Sequence, residues 1–218
     1  MRLLARYFII AFSCLCALHA AAKRNCSIAS PDGNIVYTAE VKMNSLFYRV
    51  SFKEKSIIYN SPVSLFFKEG NFANNVNISS SATSEGIETY SLIVGKAKNV
   101  SDHYKQLIIS LQQNKTPFLK LNIVVRAFND GLAFRYELPQ WQNQSSFTLL
   151  QENTSFNISG NPLVRTLLFQ NYTSSHEGVY EKKQVTALPK NQLLDLPALF
   201  EYPEYIYMAI TEAALVDY

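Results

Sequence analysis

The sequence predicts an all-β fold, a large antiparallel β-sandwich, and three observations carry that expectation. Aromatic residues are abundant, with 13 Tyr and 14 Phe, and such residues suit pleated, half-buried strands better than a helical bundle. Short apolar runs recur along the chain, and several alternate with a period of two, as in "FYRVSF", where Tyr48, Val50 and Phe52 share a face opposite Phe47, Arg49 and Ser51. Turn residues punctuate the runs: "SPDGN" at 30–34, "NSP" at 60–62, "KEGN" at 68–71 and "SGNP" at 159–162. At 218 residues and 48% hydrophobic content, the chain is long enough for a sizeable core.

The opening segment "MRLLARYFIIAFSCLCALHAAA" does not belong to that fold. Arg2 and Arg6 precede an apolar core from Tyr7 to Leu18, and Ala20, Ala21 and Ala22 form a small-residue exit. This is the layout of a cleavable secretory signal, and its apolar stretch is short for a membrane span. Residues 1–22 are therefore expected to be a signal peptide and 23–218 the folded domain, with a secreted or periplasmic destination. The leader carries two of the 20 basic residues and no acid, leaving 18 basic against 17 acidic in the remainder. That near-neutral balance argues against nucleic-acid or membrane-surface binding. The leader also takes Cys14 and Cys16, so Cys26 stands alone and no internal disulfide can form.

Beyond the leader, the runs expected as strands lie at 35–38, 46–52, 57–59, 63–67, 90–94, 106–111, 118–126, 132–138, 146–150, 163–169 and 205–210. The clearest unit is "LKLNIVVRAFNDGLAFRYELP" at 119–139. Leu119, Leu121, Ile123 and Val125 alternate with Lys120, Asn122 and Val124, and Asn129, Asp130 and Gly131 tolerate the positive φ of a tight turn. A hairpin follows, with Arg126 and Arg135 on either side as solvent-facing or ion-paired residues. In the last run, Tyr205, Tyr207, Ala209 and Thr211 face away from Ile206, Met208, Ile210 and Glu212.

Glycosylation sequons occur at Asn25, Asn77, Asn99, Asn114, Asn143, Asn153, Asn157 and Asn171. They are expected on exposed loops, with Asn114 the weakest because Pro117 follows its Thr. Chance sequons in an Asn- and Ser-rich bacterial export are the competing reading. Chemistry is sparse. Seven scattered Gly supply no phosphate loop, and three His, one of them His19 in the leader, support neither a nucleophilic triad nor a zinc site. His103 and His176 are candidates for contacting sugar, Trp141 for stacking on a pyranose face, and Glu212 and Asp217 for structural pairing.

Four segments, in order and at characteristic separations, carry a resemblance: "SPDGNIVYTAEV", "VVRAFNDGLAFRYELP", "EGVY" at 177–180 and "TEAALVDY" at 211–218. Together they resemble the N-terminal domain of glycoside hydrolase family 97, a family of secreted α-glucosidases and α-galactosidases, over roughly residues 28–218. The resemblance implies a β-supersandwich of the galactose-mutarotase type, followed in such enzymes by a catalytic (β/α)8 barrel. It also implies that more strands follow EAALVDY, so the sandwich is expected to be incomplete at its C-terminal end and the catalytic residues to lie elsewhere. The family uses a calcium ion held mainly by barrel glutamates plus one glutamate from the N-terminal domain, and the matching position is Glu177. One carboxylate is far from the six to eight oxygens calcium takes, so no tight calcium binding is expected from this chain by itself. Carbohydrate, an α-glucan or α-galactoside, and the barrel of the same parent chain are the implied partners. A stand-alone carbohydrate-binding sandwich and a secreted adhesion domain are the alternatives, since fold alone does not choose between binding and structure.

Overall fold

A computed structural model describes residues 25–140 and 146–213. The leader, Trp141, Asn143 and Asp217 lie outside the described residues. The first sheet is a meander of β1 (Asn25–Ala29), β2 (Ile35–Lys42), β3 (Ser45–Phe52) and β4 (Lys55–Pro62), paired in that order and antiparallel throughout. Two short strands, β5 (Leu65–Phe67) and β6 (Gly70–Asn71), then lead to the second large sheet. That sheet is built from β7 (Val76–Ser91), β8 (Asn99–Gln113), β9 (Lys120–Phe128) and β10 (Leu132–Glu137), in the order β10-β9-β8-β7. The strand β11 (Leu149–Glu152) returns to pair with β5.

The chain then makes a smaller sheet from β12 (Leu163–Thr166), β13 (Leu168–Phe169), β14 (Glu181–Gln184), β15 (Leu193–Leu194), β16 (Ala198–Tyr202) and β17 (Ile206–Ile210). Four of these pair in the order β14-β12-β16-β17, while β13 and β15 form a two-stranded ladder beside them. The only helical segment among the described residues is a single 3-10 turn at Val185–Ala187. No helix among them is long and apolar enough to cross a membrane.

The two large sheets pack face to face over one core. Tyr37, Ala39, Leu46 and Tyr48 of the first sheet meet Leu107, Ile109, Leu111, Leu121, Ile123 and Val125 of the second, all at or below 2% exposure. The alternation of β9 is the reason: Leu121, Ile123, Val125 and Ala127 point inward, while Lys120, Asn122 and Arg126 point out and Val124, on their face, is itself buried. Val164, Ala198 and Phe200 form a second cluster, joined to the first through Tyr202 and Met208, which touch both. Cys26 is a buried thiol in β1.

The hairpin expected at 119–139 is present. Ala127 pairs with Leu132, and Phe128 N donates to Gly131 O at 2.8 Å across the Asn129–Gly131 turn. The "SPDGN" turn is also present. Asp32 Oδ1 accepts from Ser30 Oγ at 2.5 Å and Asn34 N at 3.0 Å, and Asp32 N donates to Asn129 Oδ1 at 2.9 Å, which ties the two turns together. Arg126 and Arg135 are ion-paired as expected: Arg126 meets Glu88 at 3.0 Å and lies over the Tyr104 ring at 4.1 Å, and Arg135 meets Glu137 at 2.6 Å. In β17, Ile206, Met208 and Ile210 turn toward the core and Tyr207 and Ala209 toward solvent.

Four expectations need correction. The apolar run 90–94 is no strand: β7 ends at Ser91, and Leu92, Ile93 and Val94 occupy the exposed tip of the long β7–β8 hairpin. "NSP" at 60–62 is no turn but the end of β4, where Asn60 adopts φ 35° beside shifts in the β3–β4 register. The run 163–169 is two strands broken at Leu167. Finally, Asn25, Asn77 and Asn99 lie on strands rather than loops, and the half-buried Asn77 donates to Asn114 Oδ1 at 2.5 Å. Asn153 and Asn171 are exposed outside strands, whereas half-buried Asn157 donates to Asn60 O at 2.9 Å.

Candidate functional site: the Glu177 loop

Between β13 and β14 the chain makes a loop of small polar residues, "QNYTSSHEGVY". Its foot is tied down by Gln192, whose Nε2 donates to Phe169 O at 2.7 Å. Its first bend is an Asx turn in which Asn171 Oδ1 accepts from Thr173 N at 2.9 Å and Thr173 Oγ1 at 2.8 Å. Ser175 Oγ accepts from Glu177 N at 3.1 Å.

Three consecutive residues at the crest behave differently. His176 Nδ1 meets Asp195 Oδ1 at 3.0 Å, and its ring stands edge-on to Phe169 with centroids 5.0 Å apart. Gly178 lies against the buried corner residue Leu167 so closely that a Cβ on it would fall 2.6 Å from Leu167 Cδ1. A side chain at this position would have to push the Leu167 methyl aside. Between them, Glu177 is exposed, and its carboxylate has no partner among the described residues.

Asp195 is the fixed point beneath. It is 8% exposed. Its N donates to Leu167 O at 2.9 Å, its carbonyl accepts from Thr166 Oγ1 at 2.9 Å, and its Oδ1 also accepts from Leu196 N at 2.8 Å. Sequence reasoning passed over it, although an acid set among apolar residues in "LLDLPALF" is itself a signal, because a buried carboxylate needs partners. A shallow polar hollow of about 510 Å³ opens beside the loop, lined by Phe169, Gln170, Glu181, Lys190, Asn191 and Gln192.

The supporting sheet is charge-linked. Glu201 on β16 pairs with Arg165 on β12 and with Lys182 on β14 at 3.0 Å. Those two cations, Arg165 first, hold the Glu201 carboxyl below its ordinary value of 4.5. Ser30 and the Asn34 amide do the same for Asp32, and Arg126 with Tyr104 for Glu88. A carboxylate with a lowered pKa in the fold adds stability above its unfolded value and loses it as pH falls through the folded one. Thermal melts should therefore decline as pH drops below about 4.5, and Glu201→Gln should flatten that decline; an unchanged slope would show that the triad contributes nothing.

The other sequence candidates lie elsewhere. His103 pairs with Glu85 at 2.6 Å on the β7–β8 hairpin, away from the Glu177 loop in the fold. Glu212 is exposed, and its carboxylate has no partner among the described residues. No group of three or more His, Cys, Asp or Glu among the described residues could hold a metal ion.

Comparison with known proteins follows the same lines. The glycosyl-hydrolase 97 N-terminal family matches residues 28–218. A retaining alpha-galactosidase from Bacteroides thetaiotaomicron is 25% identical over 214 residues, covering 94% of this chain and 31% of that protein. This chain thus spans about a third of the length of that curated relative. A glycoside hydrolase family 97 enzyme from Pseudoalteromonas sp. strain K8, solved among other forms with panose and with acarbose, superimposes with TM-score 0.80 at 24% identity, over 88% of this chain and 29% of that one. A beta-arabinopyranosidase structure superimposes with TM-score 0.73 at 21% identity, over 87% and 32%. These likenesses show the fold.

Proposed function

This chain belongs to the glycosyl-hydrolase 97 N-terminal family, and from that premise we propose that it is the N-terminal β-sandwich of a secreted α-glycosidase acting on α-glucosides or α-galactosides. In this reading a catalytic (β/α)8 barrel is its partner, and Glu177 is the carboxylate it lends to a calcium ion at their junction. Residues 1–22 direct export. We assign no catalytic acid to this chain: glycoside hydrolysis needs two carboxyl groups at controlled separation across the scissile bond, and in this reading both belong to the barrel.

One observation carries the reading. Glu177 presents a solvent-facing carboxylate with no partner among the described residues, between His176, which meets Asp195, and Gly178, which lies against Leu167; the resemblance matches this position to the family's lent ligand. An unpaired carboxylate on a tethered crest suits a hard cation, which takes oxygen ligands and gains from their being preset. A calcium ion, if held partly by Glu177, would supply electrostatic polarisation for the reaction. The share of this chain is to offer one oxygen donor in a fixed direction, and to frame one side of the entrance with the polar rim of Gln170, Lys190 and Asn191.

The test is a chimera in which this chain replaces the matching first third of the Bacteroides thetaiotaomicron enzyme. We expect calcium-dependent hydrolysis of an α-galactoside, and in Glu177→Gln a rise of at least about tenfold in the calcium needed for half activity, since a neutral amide is a weaker ligand than a carboxylate. A folded, active chimera with the same calcium dependence in both forms would remove Glu177 from the site.

A further inference from the structure

Of the three residues at the crest of the loop, the two outer ones are attached to the scaffold and the middle one is free. We propose that His176 is a positioning residue that, through Asp195, fixes the direction in which the Glu177 carboxylate leaves the loop. The inference rests on the reading of Glu177 given above and extends it to residues that touch no ligand.

His176 is not held by burial, since its side chain is 74% exposed, whereas that of Asp195 is 10% exposed. What orders the ring is the 3.0 Å contact of Nδ1 with Asp195 and the edge-on contact with Phe169. Ordering an exposed side chain costs rotamer entropy, and a partner anchored through its own amide, carbonyl and carboxylate offsets that cost. On the other side, Gly178 lets the backbone settle onto Leu167. With His176 held to Asp195 and Gly178 lying against Leu167, the φ and ψ of Glu177 are constrained from both neighbours, and its side-chain torsions are what remains to be ordered when a cation arrives. A functional group presented to a neighbouring domain gains from being held within about 0.5 Å of its working position.

Amide hydrogen exchange on the chain tests this without any metal. In His176→Ala, amides 172–180 should exchange about tenfold faster, with the melting temperature unchanged because His176 is exposed. His176→Asn, whose side-chain amide can stand where Nδ1 stands, should restore slow exchange, and Glu177→Gln should exchange as the parent does. Parent-like exchange in His176→Ala, or failure of His176→Asn to rescue, would overturn the proposal.

The chimera supplies a second readout. His176→Ala should raise the half-saturating calcium concentration several-fold, and should add nothing when combined with Glu177→Gln, because residues that act as one unit are not additive. Additive effects would show that His176 does not act through Glu177. A silent Glu177→Gln would sink the calcium reading, and the exchange result would still decide whether the clamp exists.

Discussion

Tyr48→Ala should remove about 4 kcal/mol of stability, within the range for truncating a large buried aromatic, and should lower the melting temperature by roughly 12 °C for a domain of this size. Tyr48 is 2% exposed and stands at the centre of an aromatic group. Its ring stacks on Tyr37 with centroids 5.6 Å apart, lies against Phe134 at 5.6 Å, and meets Phe156 edge-on at 6.2 Å. It therefore joins β2, β10 and the segment after β11 in one contact set, while its hydroxyl donates to Ser155 O at 2.8 Å. Truncation would empty this junction and leave the Ser155 carbonyl without its donor. Tyr48→Phe keeps the ring and should cost about 1 kcal/mol, the net worth of one hydrogen bond. Urea denaturation followed by near-ultraviolet circular dichroism separates the two. A loss below about 1 kcal/mol in Tyr48→Ala would mean that the surrounding rings close over the space.

Tyr48 also shows what sequence reading captures. Its face was legible because Tyr48, Val50 and Phe52 recur at period two, and the 119–139 hairpin was legible because alternation and turn chemistry agree there. β7 carried no such signal. Its sequence "VNISSSATSEGIETYS" is polar beyond Ile78 because most of the strand is exposed, and it is held by register with β8 rather than by a core face. Pairing across a ladder leaves little trace in one strand's own composition. The opposite error arose at 90–94, where an apolar run sits on a hairpin tip instead of in a strand.

At the candidate site the division is sharper. The proposed role of Glu177 comes only from the motif around it, since nothing in the residue's own neighbourhood distinguishes a ligand from a solvated loop acid. His176, a candidate for contacting sugar, also meets Asp195, 19 residues on, and that partner was not legible in the sequence. The close approach of Gly178 to Leu167 depends on the break between β12 and β13 that the apolar run concealed. Each of these relations is long-range, set by which strands the topology places side by side.

Alkaline pH should unfold the chain cooperatively between about pH 10 and 12, through tyrosines the core holds neutral. Burial raises the Tyr37 phenol well above its ordinary value of 10, with nearby Tyr136, Tyr48 and Cys26 adding to the effect. Burial likewise raises Tyr48, and pushes Tyr202 up to about 12. Above pH 10 the unfolded chain gives up these protons while the folded chain keeps them. The unfolded state then binds fewer protons, so stability falls as pH rises, and it goes on falling until the folded phenols ionise. Each such group adds a slope of up to about 1.4 kcal/mol per pH unit while its folded form stays protonated, and two acting together are large against the marginal stability of a domain.

The rise in tyrosinate absorbance that reports Tyr37 and Tyr48 should coincide with loss of near-ultraviolet ellipticity. In Tyr48→Phe the slope should fall by about one tyrosine's share, although the variant starts slightly less stable. If all the tyrosines titrated in one early step while the fold persisted, Tyr37 and Tyr48 would not be sealed from water, and the aromatic junction would be looser than its geometry indicates. In the chimera, alkaline loss of activity should track the same cooperative step, because the sandwich that carries Glu177 is what fails.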